Sequence, residues 1–356
     1  MNEKLYKPNA PELQYMGRID FLDATKPILV YPYSQIRFRY SGHNLKMKLL
    51  NQHSYWDSYL GLIIDGAQTK IRIDVHEKEI VLVLAQNLSE GIHDVTIFKR
   101  MDSCHQFTFL GLIGDADSKL YAPDSALPHR KIEIYGDSVS AGEVSEAVDY
   151  VNQEDPEHNG EYSNSWYSYG AIAARALNAQ LHSIAQGGIP LMTGTGWFCD
   201  PDFIGIEDTW DKIEYHPEFG ESVYWDFSNY TPHVVIVAIG QNDSNPYDFM
   251  KDDYRGAHAD QWRRHYKTWI RQIREKHPDA LIVLTTTILN HDEAWDDAIE
   301  EVRLELANEL QDEKIVHFLY TDNGAGTPGH IRIPEARQMA DELVTYLNSF
   351  GEAIWQ

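Results

Sequence analysis

Hydrophobic and polar residues alternate along the first third of the chain. Ile36, Phe38 and Tyr40 are separated by polar residues, and after a Ser-Gly-His-Asn turn the alternation resumes over residues 45–49. A period of two is typical of strands with one buried face. Similar short runs follow at 59–64, 71–73, 80–84, 95–98 and 107–113. Many short strands without helical periodicity predict a β-sandwich of jelly-roll type over residues 1–121.

The pattern changes after residues 122–130, which have the Pro and Ser content of a linker. Apolar runs rich in β-branched residues then occur at 132–135, 182–185, 234–239, 281–287 and 315–319. Helical segments lie between them, and the clearest place apolar residues on one face over 262–273 and 336–347. Strands that alternate with helices predict a doubly wound α/β domain with a mainly parallel sheet over residues 131–356. We expect the sandwich to buttress this domain.

Charge and composition exclude several classes of function. The 356 residues include 30 Lys and Arg against 55 Asp and Glu, a formal charge of -25. Such a charge repels phosphate backbones and anionic membrane surfaces, so we expect neither nucleic acid nor a membrane as a partner. The 16 histidines show no ligand spacing and no phosphate loop occurs, so we predict no metal and no cofactor. The oligomeric state stays open.

Cysteine usage and the first residues bear on the compartment. Cys104 and Cys199 fall in different predicted domains, so no disulfide framework is implied. The first residues lack the apolar core of a signal peptide, and no apolar run reaches membrane-spanning length. We therefore expect a cytoplasmic protein, or a secreted one if a leader was trimmed from the sequence.

A candidate nucleophile follows the first predicted parallel strand, in Gly136-Asp137-Ser138. The glycine permits a sharp turn that exposes the Ser138 hydroxyl and N–H at the carboxyl end of the strand, where open α/β sheets place their sites. These three residues are also common in ordinary turns. The serine therefore becomes a nucleophile only if its partners lie at the same edge of the sheet.

Three later loops supply such partners, each after another predicted strand. Gly187 and Gly188 let a backbone N–H approach a bound oxygen, Asn242 offers a side-chain amide, and His330 precedes the last helix. A serine, a base and oxyanion donors are the groups that acyl transfer requires.

These blocks, in this order, resemble those of the SGNH (GDSL-like) hydrolases. A preceding sandwich that carries Gly17-Arg18, Ile64-Asp65-Gly66 and Gly91-Ile92-His93 makes nearly the whole chain similar to carbohydrate esterase family 2. The resemblance implies a sugar-ester deacetylase whose substrate partner is an acetylated xylo-, gluco- or manno-configured saccharide. It implies that Ser138 is the nucleophile and His330 the general base. It also implies that the N–H groups of Ser138 and Gly187 and the side-chain amide of Asn242 form the oxyanion hole. Gly188 is the alternative to Gly187 if the match to the family is shifted by one residue.

The chain departs from the superfamily pattern before the histidine. The pattern has an aspartate three residues before the catalytic histidine, and Thr327 stands there. A threonine cannot supply a carboxylate, so we expect a backbone carbonyl around Thr327 to orient His330, with Asp322 as the nearest acidic alternative. We read Asp137 as structural, and we expect Gln241, in place of the usual threonine, to matter little.

Aromatic residues are candidates for sugar recognition. Trp197 and Trp225 lie in the segment 193–230, between the second and third blocks, and Trp166 opens a helix. Aromatic rings can stack on a pyranose, although packing in a core or lid is the competing interpretation. Two alternative functions also stay open. One is an SGNH esterase acting on lipid or short-chain esters, and the other is a sugar-binding protein with vestigial machinery, which the missing aspartate would favour.

Overall fold

The computed structural model describes residues 3–73 and 79–356. The strands are β1 (Glu3–Tyr6), β2 (Gln14–Met16), β3 (Ile19–Asp20), β4 (Ile28–Leu29), β5 (Gln35–Ser41), β6 (Leu45–His53), β7 (Ser58–Ile64), β8 (Ala67–Ile73), β9 (Glu79–Ala85), β10 (His93–Lys99), β11 (His105–Asp115), β12 (Lys119–Tyr121), β13 (Arg130–Gly136), β14 (Ala179–Ala185), β15 (Lys212–Glu214), β16 (Val223–Tyr224), β17 (Val234–Ala238), β18 (Leu281–Thr285) and β19 (Ile315–His317). The α-helices are α1 (Ser138–Ala141), α2 (Tyr169–Ala176), α3 (Phe249–Asp252), α4 (Ala257–Lys276), α5 (Ala294–Leu310) and α6 (Ile333–Ser349). Within the described ranges, no helix combines the length and apolar character needed to cross a membrane.

Two antiparallel sheets form the amino-terminal part, as the period of two predicted. One has the order β3-β4-β11-β6-β9 with β1 beside β11, and the other has the order β12-β5-β10-β7-β8 with β2 beside β5. The alternating apolar residues of β5 and β6 are buried in one shared core. The turn after β5 carries the chain from one sheet to the other. Strands β1 to β4 and β12 were not predicted, because each is too short to show a period.

A five-stranded parallel sheet with the order β14-β13-β17-β18-β19 follows. Alternate residues of β17 point to opposite faces, with Val235 and Val237 in a core with α4 and α5, and Val234 and Ile236 in a core with α2 and α6. Helices on both faces explain why the strands read as continuous apolar runs. The doubly wound α/β fold is confirmed.

A buried ion pair joins the two parts of the chain. Nη2 of Arg18 lies 3.4 Å from Oε2 of Glu133 in β13, and both side chains are fully buried. Arg18 also donates to the backbone carbonyl of Trp210 at 2.7 Å, and the Tyr135 hydroxyl donates to Glu133 at 2.6 Å. Burial opposes the ionisation of Glu133, yet the Arg18 charge lowers the pKa of Glu133 to about 2. Arg18 therefore neutralises a buried carboxylate in β13, an inner strand of the parallel sheet.

Replacing Arg18 by leucine is expected to lower the free energy of unfolding by about 3–5 kcal/mol, because the substitution leaves Glu133 buried without its main counter-charge. Denaturant unfolding of the purified variant measures the change. Arg255→Leu is the control, because Arg255 pairs with Glu301 at 2.7 Å while 71% exposed and should change stability little. Equal stabilities of the Arg18 variant and the control would contradict the prediction.

Candidate active site

The nucleophile turn lies between β13 and α1. A Cβ atom added to Gly136 would lie 2.1 Å from Oγ of Ser140, so the turn requires glycine. The Asp137 carboxylate caps the helix by accepting the Val139 N–H at 3.0 Å. Ser138 is the first helical residue and is 5% exposed. Its N–H belongs to the first turn, where N–H groups have no partner inside the helix.

Asp137 also connects the nucleophile turn to the loop after β17. Oδ2 of Asp137 accepts from Nε2 of Gln241 at 2.7 Å and from Nδ2 of Asn242 at 3.3 Å, while Asn242 donates to the Ile189 carbonyl at 3.0 Å. Burial raises the pKa of Asp137 to about 6. Oε1 of Gln241 accepts from the Thr287 hydroxyl at 2.7 Å. Gln241 therefore links three strand ends, a role that the sequence did not indicate.

His330 is oriented by a carboxylate from a distant loop. Nδ1 of His330 lies 2.5 Å from Oδ2 of Asp155, and the His330 backbone N–H donates to Oδ1 at 2.9 Å. Arg332 donates to the same Oδ1 at 2.8 Å. Burial raises the pKa of Asp155, but the His330 hydrogen bond and charge, with Arg332, hold that pKa well below its usual range. Nδ1 therefore donates to an ionised acceptor, which leaves Nε2 as the basic nitrogen.

The prediction that a carbonyl around Thr327 orients His330 is wrong. The Thr327 carbonyl instead accepts the Asn290 N–H at 3.3 Å. The alternative acid, Asp322, accepts from Gln338 at 2.9 Å. Asp155 was missed because it lies in the irregular segment between α1 and α2, far from the histidine in sequence and without periodicity.

The segment after Ser138 packs directly against the His330 loop. The Glu143 N–H donates to the Ser138 carbonyl at 3.0 Å, and Oε2 of Glu143 lies 3.9 Å from Nε2 of His330. The Ile333 N–H, at the start of α6, donates to the Ser145 carbonyl at 2.9 Å. These contacts bring the predicted nucleophile and the predicted base to one site.

The prediction that the Gly187 N–H binds the oxyanion needs correction, whereas the alternative donor, Gly188, stays a prediction. The Gly187 N–H donates to Oδ2 of Asp102 at 3.0 Å, so it is not free to bind an oxyanion in this structure. Gln186 donates to the same oxygen at 2.6 Å. Asp102 belongs to the loop between β10 and β11, so the sandwich contributes a side chain to the site rather than only supporting the hydrolase domain.

Asp102, Cys104 and His105 bring three potential metal-ligand atoms within 4.8 Å of one another. Nε2 of His105 accepts a hydrogen bond from the backbone N–H of Trp56 at 3.2 Å. The ring proton is therefore on Nδ1 and is donated to Oδ1 of Asp102 at 2.8 Å. Both ring nitrogens therefore have protein partners, and the cluster is a hydrogen-bond network that holds Asp102.

Trp197 is the predicted aromatic residue that lies beside the site. Its N–H donates to the Gly188 carbonyl at 2.9 Å, and its side chain is 63% exposed. A large exposed ring next to the loop after β14 fits a stacking surface, and its contact with sugar stays a prediction.

The other two predicted tryptophans have packing contacts of their own. Trp166 packs on Phe98 of the sandwich, with ring centroids 5.1 Å apart, and on the Arg175 guanidinium. Trp225 lines a cavity of about 590 Å³ together with Gln180. Gln180 is near the start of β14, whereas the site is at its carboxyl end, roughly 20 Å away. Trp225 therefore lies away from the site, whereas the contact of Trp166 with sugar stays a prediction.

The fold and the site together define a class. A serine after β13 of the parallel sheet, an asparagine after the neighbouring strand β17 and a histidine before the last helix form the arrangement of an SGNH-type serine hydrolase.

Comparison with known proteins narrows the class to a family. The carbohydrate esterase 2 N-terminal family model matches residues 15–123. An acetylxylan esterase / glucomannan deacetylase from Cellvibrio japonicus is 32% identical over 285 residues, which are 79% of this chain and 73% of that protein. The chain belongs to carbohydrate esterase family 2 and is a carboxylic ester hydrolase.

Two solved structures of this family align over almost the whole chain. A family two carbohydrate esterase from Cellvibrio japonicus has a TM-score of 0.79 at 26% identity, covering 99% of this chain and 98% of that one. One from Clostridium thermocellum, in complex with cellohexaose, has a TM-score of 0.78 at 25% identity, covering 97% and 100% of the two chains.

Proposed function

We propose that this carbohydrate esterase removes O-acetyl groups from acetylated xylo-, gluco- or manno-configured saccharides through an acetyl-enzyme. Ser138 is the nucleophile, His330 the general base and Asp155 the acid that holds His330. The formal charge of -25 favours a neutral substrate over an anionic one. The acetylxylan esterase relative supports this substrate class.

The reaction proceeds by two acyl transfers. Nε2 of His330 takes the proton of Ser138 Oγ as this oxygen attacks the acetyl carbonyl, and the tetrahedral oxyanion forms beside the Ser138 N–H. The Asn242 amide joins the oxyanion hole by giving up its long, 3.3 Å hydrogen bond to Asp137. His330 then gives the proton to the departing sugar hydroxyl. Water, activated by His330, hydrolyses the acetyl ester and restores the serine. Asp155 stays ionised throughout and stabilises the imidazolium.

The observation that carries this proposal is the two-point contact between Asp155 and His330. Asp155 accepts both the backbone N–H, at 2.9 Å, and Nδ1, at 2.5 Å, and thereby fixes the ring and its tautomer. A site that had lost its activity would not need a carboxylate that orients the base. The missing aspartate at position 327 therefore no longer favours the alternative of a sugar-binding protein without activity.

The test is acetate release from a panel of acetylated xylo-, manno- and cello-oligosaccharides, measured in parallel with fatty acid release from lysophospholipid and short-chain esters. We expect the highest kcat/KM on an acetylated oligosaccharide. A higher kcat/KM on the lipid would overturn the substrate class and favour the lipid esterase alternative.

Trp197→Ala is expected to raise KM for acetylated oligosaccharides about tenfold, since loss of ring stacking removes roughly 1–1.5 kcal/mol of binding, and to leave kcat on a small aryl acetate unchanged. Steady-state kinetics on both substrates separate the two effects. The control is Tyr224→Ala, which removes a 70% exposed ring from the distant cavity and should leave both KM values unchanged. An unchanged oligosaccharide KM in the Trp197 variant would place recognition elsewhere.

A further inference from the structure

Two buried carboxyl groups lie side by side against Gly187. A Cβ atom added to this glycine would be 2.0 Å from Oε1 of Glu143 and 2.9 Å from Oδ2 of Asp102. Both acids are at most 5% exposed. Across residues 3–73 and 79–356, no donor provides a hydrogen bond to Oε1 of Glu143. A buried carboxylate oxygen without a donor is costly, so the pair needs a proton.

The proton belongs to Glu143. Two carboxyl groups in contact do not both ionise, and the one with more donors keeps the charge. Asp102 accepts from His105, Gln186 and Gly187, at 2.8, 2.6 and 3.0 Å. Burial and the Asp102 charge raise the pKa of Glu143 well above its usual range. Burial also opposes the ionisation of Asp102, but His105, the Lys99 charge and the Gly187 hydrogen bond together outweigh it and lower the pKa of Asp102. Glu143 is therefore a neutral carboxylic acid with one hydrogen to donate.

The Glu143 carboxyl extends from Gly187 towards the base. Oε2 lies 3.9 Å from Nε2 of His330, the atom that takes the serine proton, and 3.4 Å from Nε2 of His158. The Glu143 backbone is tied to the Ser138 carbonyl at 3.0 Å. Glu143 thus lies between the nucleophile turn and Gly187, whose N–H donates to Asp102.

We propose that Glu143 is a catalytic residue that donates its carboxylic hydrogen bond to the oxyanion formed when Ser138 attacks the ester, in place of the Gly187 N–H. This inference rests on the proposed function and adds a donor to its oxyanion hole. Asp102 already accepts four other hydrogen bonds, the fourth from the Cys104 thiol at 3.2 Å, so the alkoxide is the stronger acceptor for the Glu143 hydrogen. Glu143 keeps its proton when the intermediate collapses, and the proton that moves is the one carried by His330.

This role makes activity depend on the protonation of Glu143. The titratable groups around its carboxyl are Asp102 and Cys104 from the sandwich, His158 and Asp155 from the segment before α2, His330 from the loop before α6, and Asp137 from the nucleophile turn. Loss of the Glu143 proton would put a negative charge beside the forming oxyanion. The rate should therefore fall on the alkaline side as Glu143 ionises.

The experiment compares Glu143→Gln and Glu143→Leu by pH profiles of kcat and KM on an acetylated oligosaccharide and on an aryl acetate. Glutamine keeps the shape and a neutral donor, so we expect a kcat within about tenfold of the parent and no alkaline decline. Leucine removes the donor, so we expect kcat to fall about 100- to 1,000-fold with little change in KM. Glu275→Gln is the control, because Glu275 is an exposed residue of α4 and should keep the parent profile.

An alkaline decline that persists in Glu143→Gln, or a parental kcat in Glu143→Leu, would overturn the proposal. If the leucine variant fails to fold, the profile of the glutamine variant decides. Ser138→Ala supplies the background rate. A parent protein that releases no acetate at any pH would instead refute the proposed function, so the two failures are distinguishable.

Discussion

Ser138→Ala is expected to lower kcat for acetate release about a millionfold, to the background set by substrate binding alone. No acyl-enzyme can form without the hydroxyl. The neighbouring Ser140 cannot replace it, because Oγ of Ser140 is within 3.0 Å of the Tyr169 hydroxyl and faces Gly136. Stopped assays of acetate release, with circular dichroism to verify the fold, measure the loss.

Ser140→Ala is the matched control for this variant. It removes the same atom two residues away and should keep kcat within about tenfold of the parent, since Ser140 packs under the turn and does not react. A large loss of kcat in the Ser140 variant, together with an active Ser138 variant, would show that Ser140 is the nucleophile.

Asp155→Asn is expected to lower kcat by about 10⁴, because an amide neither stabilises the imidazolium nor holds the tautomer with Nδ1 protonated. The loss should appear in kcat more than in KM, since Asp155 contacts His330 rather than the substrate. The asparagine keeps the size of the side chain, so the fold should survive.

Asp322→Asn is the control for the acid. Asp322 is nearer to His330 in sequence, but its carboxylate accepts from Gln338 at 2.9 Å. We expect parental activity from this variant. Parental activity of Asp155→Asn would contradict the role of Asp155 in orienting His330. A loss of activity confined to Asp322→Asn would assign that role to Asp322.

The elements that the sequence predicts well are those with a period. The alternation over β5 and β6 depends only on which face of the strand is buried, and so do the apolar runs of β17 and β18. Whether a position is buried can be inferred from the hydrophobicity of its residue. Ser138, Asn242 and His330 follow from the same logic, because parallel strands end at one edge of a sheet.

The parts of the site that the sequence does not predict come from loops and from the other domain. Asp155 is one acid among 55 Asp and Glu residues, in a segment with no repeat to place it. Asp102 comes from the sandwich, and its capture of the Gly187 N–H depends on how the two parts of the chain pack. Hydrogen-bond partners of this kind are determined by tertiary contacts, which cannot be predicted from the local pattern of hydrophobic and polar residues.

The sandwich therefore has a chemical as well as a mechanical role. Its loop between β10 and β11 supplies Asp102, and the loop between β6 and β7 supplies Trp56, whose N–H donates to His105 at 3.2 Å. The Trp56 ring also packs edge-on against His158, with centroids 4.1 Å apart. His158 in turn stacks parallel to His330 at 5.7 Å. The surroundings of the base thus depend on both parts of the chain.

The most direct test is acetate release from an acetylated oligosaccharide, measured as a fluorophosphonate is titrated into the protein and the labelled residue is located by peptide mapping. Acylation by Ser138, activated by His330 and Asp155, predicts that the label is on Ser138 and that activity falls in proportion to labelling, reaching background at one equivalent. Acetate release that survives complete labelling of Ser138 would contradict this mechanism.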